Sequence, residues 1–452
     1  VRARTRDRRV YLSGHPVLFA LLAAVRRRPV TRLGGTLLVN GTDEFIEAMT
    51  RLPLDRQAEG TTGAIARDLA DADLLFDQEG AAHRTTRRDL AARLSSTGVE
   101  RLRPVWLAVL DRHLVTLRRG GEIDLVALTA ELAGSTAAAL LGIEADPRAL
   151  STAARDAAAA AARAHLPGPR LPHRRGHDPA ITAARLTTLL ASAPRIPAPL
   201  LDGPAAGCPV TGRAGQEAAT STPSAPGCPV IADSGSSTAV AAGQEAAPGT
   251  ANSPLPGTTG SHSEARRRGR PATETGPEMG AGLAAMLAVA AINTTVAAIP
   301  RAVAWCADDG LWDHAATGGE RLDALVTELL RVIVPTPLLP RAAAADGTVG
   351  GCPVAHGDRL VLVTRHATGA HRDDPDPAAP APPHVAQLVF GTGPHACPGA
   401  GLARAQLRDV LAALAPFRPV VVAARPDRAA ALPGWRTLRI RPTIGQTGGA
   451  GS

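Results

Sequence analysis

The stretch FGTGPHACPGAGLAR, residues 390–404, decides how this chain is read. Three glycines, Gly391, Gly393 and Gly399, surround one cysteine, Cys397, and allow the backbone to fold closely around a single sulfur. The residues that follow have helical character over 397–415. The sulfur therefore sits near a helix amino end, where backbone N–H donors favour negative charge. His395 and Arg404 add positive potential. The species such a loop suits is a thiolate. A nucleophilic cysteine and a metal-ligating cysteine both answer to that description, and the loop alone leaves the choice open.

The rest of the chain narrows it. The sequence has 452 residues, 45% of them apolar, enough for a large core, yet only 2% aromatic, so packing must rely on Ala, Leu and Val. The formal net charge is +8, with basic residues scattered or set in amphipathic helices. No zinc-finger, RNP or basic-zipper pattern accompanies them, which argues against a nucleic-acid partner and leaves an acidic protein partner open. Five cysteines, an odd number with no CxxC pair, do not make a disulfide scaffold. A reducing, cytoplasmic compartment is the expectation. Residues 1–9 are basic and 17–25 apolar, like the start of a signal peptide, but Arg26, Arg27 and Arg28 follow at once and the run is too short to span a bilayer. The longer apolar stretch 281–304 is interrupted by Asn293, Thr294, Thr295 and Pro300 and closed by Arg301. It reads as a buried core helix rather than a membrane span.

Periodicity and punctuation predict helices over 14–29, 43–51 with Asp43 as N-cap, 79–94, 98–118, 122–142 ending at Gly142, 147–166, 180–192, 281–306, 318–333 and 397–415. Strands are predicted over 36–40, near 348–364 and in the tail 418–442. Residues 201–278 differ: Gly, Pro, Ser, Thr and Ala dominate, AGQEAA and GCPV recur, and bulky residues are nearly absent. Such a composition does not bury enough area to offset its ordering entropy. The expectation is one mainly α domain with minor β, spanning 10–445, carrying a low-complexity, disordered insertion at 201–278.

The cysteine stretch resembles the haem-binding loop of the cytochrome P450 family, FGxGxHxCxG, and matches every fixed position at Phe390, Gly391, Gly393, His395, Cys397 and Gly399. The resemblance implies that Cys397 is the proximal ligand to the iron of haem b (iron protoporphyrin IX). It also implies that Phe390 packs on the sulfur side and that His395 contacts a propionate. Three other segments stand in the family's order. TELLR, 327–331, sets Glu328 and Arg331 on one helix face. Alone it reads as a surface ion pair; by resemblance it is the ExxR pair that locks the core behind the haem, a structural role. Arg341 matches a strand arginine that pairs with a propionate. AAHRTTRRDL, 81–90, places His83 and Arg87 at i,i+4. Alone it is a solvated basic helix; by resemblance it is HxxxR, and His83, Arg87, Arg341 and His395 together would satisfy both propionates through charge-assisted hydrogen bonds.

The last segment is AAINTT, 290–295, inside the long apolar helix. A threonine there can simply bond back to the i−4 carbonyl. The resemblance makes Thr294 the residue that helps deliver protons to dioxygen and Ala290 the alanine beside the oxygen pocket. Two departures stand out. Ala291 replaces the usual glycine and Asn293 the usual acid. An amide can hold a water or a backbone group but cannot carry a proton as a carboxylate does. Either water replaces the relay at Asn293 or the reaction differs from simple hydroxylation. The segment before the loop, DPDPAAPAPPHVAQLV at 374–389, is also shorter and richer in proline than the family's meander. Cys352 is expected to be inert packing.

The resemblance implies a P450-like fold and a haem-thiolate monooxygenase acting on a small organic substrate and dioxygen. Electrons would come from a ferredoxin and its reductase, docked on a basic surface that includes Arg84, Arg88 and Arg408. The scarcity of aromatics suggests an aliphatic-lined pocket. Coupling, desaturation or rearrangement without net hydroxylation is the alternative, and a non-catalytic haem-binding protein the more distant one.

Overall fold

The computed structural model describes residues 2–55, 57–61, 63–64, 88, 90–165, 178–196 and 280–443. The expected insertion, the start of the 79–94 helix, His83, Arg84, Arg87, Cys208 and Cys228 lie outside the described residues. The fold is mainly helical with minor strand content, as expected.

The amino end forms two helices, α1 (Ala3–Gly14) and α2 (Pro16–Val25). A single helix over 14–29 was expected. The break falls at His15, and Pro16 opens α2 at a position where its missing N–H is not needed. α1 was not anticipated, because its arginines mask an inward stripe of Ala3, Asp7, Val10 and Tyr11. β1 (Val30–Leu33) and β2 (Thr36–Val39) then make a hairpin that leads into α3 (Thr42–Thr50). The N-cap of α3 is Gly41, not Asp43, which falls in the first turn and adds favourable negative charge there. β3 (Leu54–Asp55) follows.

The core is built by α4 (Ser96–Arg118), α5 (Leu125–Leu141), α6 (Pro147–His165), α7 (Pro179–Ser192) and α8 (Ala281–Asp309). A two-residue strand, β4 (Ile123–Asp124), takes the first residues of the predicted 122–142 helix. Asp124 then caps α5, its carboxylate accepting from Val126 N at 2.9 Å. Gly142 ends α5 with φ 64°, as its position predicted. α8 packs against α5, α6 and α7. By length and composition it could cross a bilayer, but it is mostly buried within the protein, and its Arg301 pairs with Asp7 of α1 at 2.7 Å. That is the environment of a core helix.

After α9 (Trp312–Thr317) and α10 (Gly319–Ile333) the chain builds β5 (Leu339–Ala343), β6 (Gly347–Val349), β7 (Cys352–Val354) and β8 (Arg359–Leu362). One sheet has the order β1-β2-β8-β5-β3, with β2 and β8 parallel and the other neighbours antiparallel. It covers a second core of Leu37, Val39, Phe45, Leu360 and Leu362, against which Cys352 packs half-buried. Short helices α11 (Thr364–Ala367) and α12 (Pro383–Ala386) lead to the cysteine loop. α13 (Ala400–Leu414) follows, and β9 (Val420–Pro426) and β10 (Trp435–Arg441) close a sheet with β4.

Candidate active site

The cysteine loop is held between two anchored elements. On its amino side, two 3₁₀ turns, Gln387–Phe390 and Gly393–His395, shape the approach. Gly391 and Gly393 have φ of 75° and 73°, in the region that favours glycine. A Cβ on Gly393 would also lie 3.3 Å from the Met49 carbonyl of α3. Gly399 differs from the expectation: its φ is −86°, open to any residue, and a Cβ there would come 3.8 Å from the Cys397 sulfur. Its small size leaves the sulfur uncrowded. The Cys397 amide donates to the Phe390 carbonyl at 2.7 Å, which closes the loop. Cys397 is exposed, while Phe390, His395 and Ala396 beside it are half-buried.

α13 begins three residues after the cysteine and is fixed from behind. Asp409 accepts from Arg103 through both oxygens, at 2.7 and 2.9 Å, and from the indole N–H of the fully buried Trp106 at 2.9 Å. Gln406 donates to the Thr136 hydroxyl of α5 at 3.0 Å. Sequence reasoning missed this anchor. Its only trace is an acid and an amide on the inward face of an otherwise apolar helix. Arg404, by contrast, behaves as expected. Its guanidinium lies 4.5 Å over the Phe390 ring and donates to Gln387 at 3.0 Å. Burial lowers its pKa and the charge of a Cys397 thiolate opposes that shift. Arg404 and the thiolate thus favour each other's charged forms.

Glu328 and Arg331 form a deeply buried pair at 1% and 3% exposure, not a surface one. The Arg331 Nε donates to Glu328 at 2.9 Å, and its other nitrogens donate to the carbonyls of Thr368 and Asp374, both at 3.1 Å. Glu328 in turn accepts the backbone N–H groups of Asp376 and Ala381, at 3.1 and 3.0 Å. The proline-rich segment is therefore stitched to α10 by its backbone. Prolines remove donors from that segment, and the two N–H groups used fall on residues other than proline.

Arg341 lies on β5, half-buried, and donates to the Pro340 carbonyl at 2.8 Å. Burial pushes its guanidinium pKa down to about 10, so an anionic neighbour would be strongly favoured there. On α8, residues 284–288 and Val296 to Cys306 are buried, but Val289, Ala290, Ala291, Asn293, Thr294 and Thr295 are half-buried. The helix borders an accessible space at the expected segment. Thr294 donates to the Ala290 carbonyl at 2.7 Å, leaving its oxygen lone pairs to accept. Asn293 donates to the carbonyls of Val289, at 2.9 Å, and Ala154 of α6, at 3.3 Å. Arg408 is paired with Asp323 at 2.7 Å, so its charge is already offset, whereas Arg88 is exposed.

The donor set fits haem. A lone soft sulfur suits iron. An iron on one cysteine sulfur takes its other ligands from elsewhere, and a tetrapyrrole would supply them; its carboxylates would match the cation of Arg341, whose pKa burial lowers.

Residues 320–415 match the family model described as Cytochrome P450. The chain is 38% identical over 105 residues to the erythromycin C-12 hydroxylase of Saccharopolyspora erythraea, a match covering 22% of this chain and 26% of that protein. The solved structure of P450BioI in complex with hexadec-9Z-enoic acid ligated acyl carrier protein superposes with TM-score 0.62 and 16% identity, over 95% of this chain and 99% of that one. P450 EryK in complex with erythromycin B superposes with TM-score 0.60 and 17% identity, over 96% and 98%. The chain thus matches the cytochrome P450 family over residues 320–415, and it has the fold of the solved P450 structures over nearly its whole length. The match to the hydroxylase spans only about a quarter of that protein.

Proposed function

We propose that this chain is a haem-thiolate monooxygenase of the cytochrome P450 type that inserts an oxygen atom from dioxygen into a small organic substrate. The observation that carries the reading is the Cys397 loop: an exposed sulfur, a main-chain clasp to Phe390 and a half-buried arginine that favours the thiolate. Haem, when bound, supplies the reductive activation of dioxygen. The protein's residues do the rest. Cys397 would hold the iron, and Phe390 would shield the sulfur side. Arg341 and His395, with His83 and Arg87, would bind the propionates. Thr294, whose own proton is given to Ala290, would accept a hydrogen bond from a water and so hold a proton source above the haem. Glu328 and Arg331 keep the loop's support rigid and touch no reactant.

Electrons would come from a ferredoxin and its reductase, in a cytoplasmic compartment. With Arg408 offset by Asp323, Arg88 is the better described candidate for a docking charge. The scarcity of aromatic residues, 2% of the chain, fits an aliphatic-lined pocket and an apolar substrate. Oxidation that ends in coupling, desaturation or rearrangement is the second reading, favoured by Asn293, whose amide hydrogens are given to backbone carbonyls instead of serving a proton path.

The test is the carbon monoxide difference spectrum of the reduced protein. Thiolate ligation gives a band near about 450 nm that Cys397→Ser abolishes. A normal band in that variant would overturn the assignment. Substrate-dependent electron consumption with an oxygenated product supports monooxygenation, and a dehydrogenated or coupled product supports the second reading.

A further inference from the structure

Among the described residues two shorter helices, α2 and α5, are predominantly apolar, and the core accounts for one of them. α5 is buried on most of its surface. α2, with the sequence PVLFALLAAV, fully buries only Leu22. Leu18, Phe19 and Val25 complete its inner face, with Leu38 and Val363 of the neighbouring elements. Its outer face is Val17, Ala20, Leu21 and Ala24, at i, i+3, i+4 and i+7, and all four are exposed. Val17 is 81% and Leu21 47% exposed. A surface helix ordinarily turns polar residues to that side, and α2 has none to turn.

Charge stands beside this apolar stripe. Arg26, Arg27 and Arg28 follow α2 directly and are exposed. Arg26 and Arg27 line, with His371 and Arg372, a surface cleft of about 450 Å3. Arg365 pairs with Asp7 at 3.7 Å and Arg372 with Asp373 at 3.0 Å, so those two charges are partly offset. No described carboxylate lies within ion-pair distance of Arg26 or Arg27. The positive field is felt nearby. His366 and His371 are held neutral by burial first, then by surrounding cations that include Arg26 and Arg365.

We propose that α2 and this cleft form a docking surface for an anionic phospholipid bilayer. The outer stripe would lie at the boundary of headgroups and acyl chains, and Arg26, Arg27 and Arg372 would hold lipid phosphates. An apolar stripe with cations at its edge is the pattern of an interfacial helix. Guanidinium groups match phosphate oxygens bidentately. A ten-residue helix is about 15 Å long, half the thickness of the hydrocarbon layer, so the contact is peripheral.

The test is co-sedimentation of the full chain with vesicles of phosphatidylcholine alone or mixed with phosphatidylglycerol. Binding is expected to the mixed vesicles and to fall sharply in high salt. Arg26→Gln with Arg27→Gln should lower the partition coefficient about thirtyfold at low salt. Val17→Glu with Leu21→Glu should lower it by about tenfold or more, with the melting temperature little changed because both residues sit on the exposed face of α2. Inorganic phosphate at the ionic strength of a chloride control should compete no better than chloride. Equal binding to both vesicle types, unaltered binding by either double variant, or specific competition by phosphate would overturn the proposal. So would a concentration-dependent dimer abolished by Val17→Glu with Leu21→Glu and no vesicle binding, because a second copy would then own the stripe.

Discussion

The side-chain amide of Asn293 in the long core helix α8 reaches across to the Ala154 carbonyl of α6, 3.3 Å away, while keeping a 2.9 Å bond to Val289 in its own helix. The residue that departs from the family's acid is therefore a two-point donor between helices. A carboxylate has no hydrogens for either carbonyl. Asn293→Asp is expected to destabilise the fold by about 1–3 kcal/mol, read as a lower denaturant midpoint at neutral pH. A midpoint equal to the parent's would mean that the bridge contributes nothing.

Glu328, itself 1% exposed, is the acceptor for the buried Arg331 and for two backbone N–H groups. Glu328→Gln keeps the shape and removes the charge, leaving the Arg331 cation uncompensated. A loss of about 3–5 kcal/mol is expected, along with poor retention of haem during purification. Chemical denaturation followed by circular dichroism and by haem absorbance measures the two separately.

Arg301, fully buried in α8, donates to Asp7 at 2.7 Å and to the Tyr11 hydroxyl at 2.6 Å. Burial alone would lower its pKa, but Asp7 and Tyr11 outweigh that and raise it. Arg301→Met leaves the buried Asp7 carboxylate with only the longer 3.7 Å contact to Arg365 and should cost about 3–5 kcal/mol. Adding Asp7→Leu removes that under-compensated charge and should restore much of the loss. A double-mutant cycle by thermal melting reads the coupling, and strict additivity would refute it.

His366 is buried against Asn40, to which its Nδ1 lies at 2.8 Å, and its pKa is pushed down to about 3 by burial, then by His371, Arg365 and Arg26. The unfolded chain, with an ordinary histidine, binds a proton between pH 6.5 and 3 that the folded chain does not. Stability contributed by the neutral ring is thus complete above pH 6.5 and lost as pH falls through that window. The slope for one such group is at most about 1.4 kcal/mol per pH unit. His366→Gln, which keeps an amide partner for Asn40, should flatten the stability profile between pH 6 and pH 4 relative to the parent, measured by urea denaturation.

What the sequence determined by itself is local or chemically distinctive. The glycines at 391 and 393 announce the loop because positive φ excludes nearly everything else. Gly142, placed after an apolar run, announces the end of α5, and the glutamate and arginine three apart in TELLR already share a helix face. Each of these signals needs only neighbours in the chain. The tertiary structure alone decided which partners distant residues take. Asp7 meets Arg301 across 294 positions, Arg103 meets Asp409 across 306, and Asn293 meets Ala154 across 139. Nothing in a helical period says that an acid in an arginine-rich segment faces inward, or that an asparagine in a core helix donates to a carbonyl of another helix. Those outcomes depend on which helices the apolar faces bring together, and buried polar groups then take whatever partner the packing presents.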